Sequence, residues 1–103
     1  MPLKNSMERN PMRNQVVARL RKDLRELFED KSGTEILVIN LEKLDQSKKP
    51  PEERADVLVD AIGNHDDIRA FLASEPDTRI IQDEQKQGSD SVRQFYLKLK
   101  QGA

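Results

Sequence analysis

Cysteine and tryptophan are both missing from these 103 residues, histidine occurs once, and the aromatic side chains are only Phe28, Phe71, Phe95 and Tyr96. Without cysteine there is neither a disulfide framework nor a thiolate zinc site, which fits a reducing, cytoplasmic setting. No apolar run approaches the roughly 20 residues of a membrane-spanning helix. The opening residues, MPLKNSMERNPMRN, lack the apolar stretch of a secretion signal. Gly33, Gly63, Gly88 and Gly102 are isolated from one another, so no phosphate-cradling loop is present. None of Ser32, Ser47, Ser74, Ser89 and Ser91 has a histidine nearby to act as its base, which removes the usual serine nucleophile.

Two further constellations are weighed and set aside. His65, followed by Asp66 and Asp67, would need more ligands to hold a metal, and no second histidine or cysteine exists to supply them. It reads as a solvent-facing turn residue. Pro76-Asp77 followed by Glu84-Gln85-Lys86 has the residue types of metal-dependent nucleases, in which carboxylates hold the metal and a lysine steadies the attacking water. The spacing is too short, and the triplet falls in a polar turn. The expectation is a chain that is not an enzyme, with no catalytic residue, cofactor or metal.

Charge is what the sequence has in plenty. Charged residues are 36% of the chain against 35% hydrophobic, which implies a lean core and a heavily charged surface. The net charge of −1 hides an asymmetry. Residues 1–25 carry seven bases and two acids, residues 26–90 eight bases and seventeen acids, and residues 91–103 three bases and no acid. The ends are basic and the middle acidic. So small a net charge argues against nonspecific nucleic-acid binding as the main activity.

The chain is long enough for one small domain, placed at residues 10–103 behind a polar, disordered tail at 1–9. Asn10-Pro11 offers a cap and a first-turn proline, and Val17, Leu20, Leu24, Leu27 and Phe28 follow at helical spacing. Residues 35–44 read both ways. Ile36–Ile39 is β-branched, as in a buried strand, whereas Ser32 with Glu35 has capping-box spacing and Leu37, Leu41 and Leu44 share one helical face. The helical reading is preferred. A third helix is expected from Pro51, with Ala55, Leu58, Val59 and Ile62 as its apolar face and Gly63 as its stop. A fourth, capped by Asn64, carries Ile68, Phe71 and Leu72 and ends at Pro76. Residues 77–91 are a polar connecting segment. Residues 79–99 are again double: a hairpin of Arg79–Glu84 with Val92–Leu99, or a helix with Val92, Phe95, Tyr96 and Leu99 on one face. The preferred fold is mostly α, a four- or five-helix bundle. The alternative is an α+β winged helix-turn-helix with a C-terminal β-hairpin.

The corner at Gly63–Pro76 has the shape of a DNA-reading helix-turn-helix, but His65, Asp66 and Asp67 would put carboxylates where the groove lies. A protein partner suits the charges better. Arg21, Lys22 and Arg25 give the first helix a basic face, whereas Asp56 and Asp60, extended by Asp66 and Asp67, give an acidic one. Oppositely charged faces allow self-association or steer a partner of matching polarity.

Over about Arg19 to Pro76 the chain contains LRKDLRELFEDKSGTEILVINLEKLD, a polar loop, then PPEERADVLVDAIGNHDDIRAFLASEP. This pattern resembles the bacterial effector-associated, death-like domains. Those have a leading helix with an L-x-x-L-F-like element, a second closing on Leu-Asp, a third of the L-V-x-x-A kind and a short helix ending near Glu-Pro. The resemblance implies a small helical bundle without catalytic residues, acting as an adaptor in signalling or defence. The Ile36–Ile39 run and the segment Asp77–Ala103 depart from the pattern, and the family has no fixed site to transfer.

Overall fold

The computed structural model describes residues 11–100, so the expected tail at 1–9 and the cap at Asn10 lie outside the described residues. The first helix, α1 (Pro11–Phe28), forms as its periodicity predicts. Val16, Val17, Leu20, Leu24 and Phe28 are buried, whereas Leu27, expected on the same stripe, is 53% exposed.

Downstream, the expected bundle is not what forms. Helix and strand each take about a third of the described residues. Residues Glu35–Asn40 are a strand, β1, not a helix. The expected third helix is a single 3-10 turn at Pro51–Glu53 followed by β2 (Val57–Ile62). After the second helix, α2 (His65–Ala73), come β3 (Thr78–Gln85) and β4 (Val92–Leu99). The segment read as a polar connector therefore contains β3 and the hairpin turn. The hairpin belongs to the winged-helix alternative, yet that fold fails too, because a strand and not a helix precedes the corner at Gly63. The helical bundle implied by the death-like resemblance falls with the same residues: Leu58-Val59 and Ala61 lie in β2.

The four strands form one antiparallel sheet in the order β1-β2-β4-β3. β2 and β3 are parallel, joined through α2, with β4 inserted between them, a split β-α-β unit. Alternation along the strands then decides the layers. Val57, Val59 and Ala61 of β2, Phe95 and Leu97 of β4 and Val38 of β1 face both helices and meet Leu20, Leu24, Ile68 and Leu72 in the main core. The opposite face carries a smaller cluster in which Leu41, Ala55 and Leu58 pack with Ile39, Ile81 and Tyr96. A bulge between Ile80 and Gln82 adds a residue to β3.

The long connection 41–56 lies beside that second face and is fastened by side chains. Gln46 behaves like a strand neighbour: its carbonyl accepts from Ala55 N–H and its amide donates to Ala55 O, both at 2.8 Å. Arg54 donates to the carbonyls of Lys49 and Ser47, and Lys98 Nζ to those of Pro51 and Arg54. Asn64, expected to cap α2, instead has φ 49° and directs its side-chain amide to Thr34 Oγ1.

Candidate functional site

Among the described residues β1 is an edge strand, so half of its backbone polar groups have no strand partner there. Leu41 N–H donates to Asp56 O at 3.0 Å, which fixes the phase of the ladder. Ile39 and Leu37 turn their backbone groups toward β2, and Ile36, Val38 and Asn40 turn theirs outward. One of these outward groups is covered. Arg21, on α1, donates to Val38 O from Nε at 3.2 Å and from Nη2 at 3.0 Å.

Beside this edge, α1 and β1 leave a groove of 520 Å³. Leu24, Phe28, Ile36 and Val38 give it an apolar floor, and Arg21, Arg25 and Glu29 form its charged rim. Leu37 lies on the other face of β1, 58% exposed, so apolar surface flanks the edge on both sides. The sequence reasons for the arrangement are plain. A β-branched run makes the strand, and arginines one turn apart on α1 place two guanidinium groups above it.

The residues expected to bind a partner do not gather at one place. Arg21 and Arg25 line the groove, and Lys22 is exposed on the same helix. Asp56 and Asp60 do not form an acidic helix face, because they lie at and within β2. Asp56 accepts from Arg13 at 2.7 Å and from Leu99 N–H at 2.8 Å, so it is an internal tie. Asp60 lies on the open sheet face and accepts from Gln94 at 3.0 Å. Asp66 and Asp67 are exposed in the first turn of α2, where Asp66 pairs with Arg69. Sequence reasoning missed the outward backbone of Ile36, Val38 and Asn40, although the β-branched run was the signal that could have found it.

Other charged clusters serve packing. Arg19 bridges Glu75 and Asp77, and Asp83 bridges Arg69 and Arg93. The Arg69 guanidinium also lies 5.6 Å from the Phe95 ring centroid. On the open face, burial raises the Tyr96 phenol above its ordinary pKa, and the charges of Glu84 and Asp60 raise it further. Lys49 sits 5.9 Å from the centre of the Tyr96 ring.

His65 contacts the Ala61 carbonyl through Nε2 at 2.9 Å, and its ring is half-buried. Among the described residues no three His, Cys, Asp or Glu side chains are grouped to hold a metal, and no helix is long and apolar enough to cross a membrane. No family model, curated protein or solved structure matches the chain.

Proposed function

We propose that this chain is a non-enzymatic protein-interaction module that takes an extended segment of another protein along β1. The observation that carries the reading is the outward-facing backbone of Ile36, Val38 and Asn40 beside an apolar groove. An added strand gains main-chain hydrogen bonds from such an edge and side-chain selectivity from the groove. A partner strand would place alternate side chains against Leu24 and Phe28 on one face and against Leu37 on the other. An adaptor role in the cytoplasm fits this mode of binding and the cysteine-free composition. A nucleic-acid partner is less favoured: Asp66 and Asp67 in the first turn of α2 would repel phosphates, and the open sheet face mixes Asp60 and Glu84 with Arg79 and Lys98 instead of presenting a basic patch.

Selection from a displayed library of random heptapeptides, followed by amide-shift mapping of the binders, tests the reading. The expected binders are extended sequences that shift the amides of Ile36, Val38 and Asn40. A selection that yields no binder, or only binders mapping elsewhere, removes it.

A further inference from the structure

An exposed strand edge invites unwanted pairing, and proteins usually blunt it with charge, proline or a covering element. β1 has no proline, and its central outward carbonyl is instead covered by a single side chain. That side chain is Arg21, whose Nε and Nη2 both donate to Val38 O. Any strand adding to β1 through Val38 must displace it.

Displacement has an electrostatic condition. A guanidinium forced off a carbonyl loses charge-assisted hydrogen bonds, and a neutral strand, which gives Val38 O a backbone N–H in exchange, leaves the guanidinium with water alone. A carboxylate on the incoming strand returns a stronger, bidentate pair. Arg25, one turn along the same helix and on the same groove, adds a second cation at the rim, so that two cations face the one rim acid, Glu29. A second copy of this chain fits poorly. Antiparallel pairing of β1 with itself about Val38 would bring the two Arg21 guanidinium groups together at the symmetry axis, where they repel.

We propose that Arg21 is a displaceable lock on the β1 edge, and that the partner is an acidic extended segment whose carboxylate draws Arg21 off the Val38 carbonyl as its backbone pairs with the strand. This rests on the reading of β1 as the docking edge and adds to it the partner's charge and the residue that senses it. The lock keeps the edge closed to neutral strands and to like copies. Acidic strands open it.

Two terminally blocked, fluorescein-labelled octapeptides test this, one alternating valine with glutamate and the other valine with glutamine. Anisotropy titrations give affinities for the native chain, Arg21→Ala and Arg25→Ala, with circular dichroism confirming that both exposed-site variants fold. Amide shifts locate the peptide. The native chain is expected to bind the glutamate peptide on the order of tenfold more tightly than the glutamine one, with a preference that shrinks as salt rises. Arg21→Ala is expected to bind the glutamine peptide more tightly than the native chain does, because the lock is gone, and to lose most of the preference. Arg25→Ala should lose part of the preference without that gain. If Arg21→Ala weakens both peptides alike, or changes neither while the β1 amides still shift, the lock is wrong and the docking edge stands. If neither peptide shifts the Ile36, Val38 and Asn40 amides in any of the three proteins, the docking edge falls and the lock with it.

Discussion

Asp83 accepts a hydrogen bond from Arg69 Nε through one carboxylate oxygen and from Arg93 Nε through the other, each at 2.5 Å. Burial alone would push its carboxyl upward, but the bonds from the two arginines outweigh that and hold it below the ordinary carboxylate value. A carboxyl depressed in the folded state contributes stability that is present above its unfolded pKa, about 4, and is lost as pH falls through the folded value. Asp83→Asn is therefore expected to cost about 1–3 kcal/mol at neutral pH, because it removes the carboxylate that two guanidinium groups share and leaves Arg69 only the exposed Asp66. Below about pH 4 the gap between variant and native chain should narrow. Urea titrations at a series of pH values measure both effects, and a gap that stays constant into the acid range would contradict the assignment. At this scale the sequence was a poor guide. Arg69 and Asp83 are fourteen residues apart, and nothing in their local spacing announces a contact made only when α2 packs on β3.

The elements were legible in proportion to how one-sided their burial is. α1 shows one face to the core and the other to water, so its period of 3.6 survives in the sequence. β2 lies within the sheet, with helices over Val57, Val59 and Ala61 and the smaller cluster over Leu58, so its apolar residues form a nearly continuous run. Such a run contains the spacing of a helix as readily as that of a strand, which is how Ala55, Leu58, Val59 and Ile62 came to resemble a helical face. In β1 and the connection after it, the leucines at 37, 41 and 44 share a helical face only on paper, for Leu37 and Leu44 are exposed and Leu41 is buried. The chain does turn at Gly63, but what stops there is the strand β2 and not the expected helix. Gly63 has φ +79°, and any Cβ there would overlap the carbonyl oxygen of Gly33 in the turn that leads into β1. Two connections touch backbone to backbone at this point. Gly63→Ala is expected to lower stability by about 2–4 kcal/mol, combining backbone strain with a forced separation of the two turns. Gly33→Ala, which meets nothing within 4 Å, should cost about 1 kcal/mol. Equal losses in denaturant titrations would refute the close approach. The candidate site was half legible in the same way: its cations were visible as a basic helix face, whereas its backbone edge required the topology.

For the whole molecule, strand order departs from chain order. β4, the last of the described strands, occupies an inner position between β2 and β3, and its Phe95 and Leu97 are fully buried in the main core. This has a consequence for biosynthesis. Until residues 92–99 are available, β2 and β3 have no strand to share, and α1 and α2 have no complete surface to cover. A nascent chain interrupted before that point holds both halves of the sheet with bare inner edges, the state in which chains aggregate. A version ending at residue 91 is expected to lack a native circular dichroism spectrum and to collect in the insoluble fraction, and a native spectrum from it would show that β4 is dispensable. The described sheet closes only when β4 comes to lie between two strands made before it, so its inner edges stay open to a ribosome-bound chain's neighbours until residues 92–99 have been synthesised.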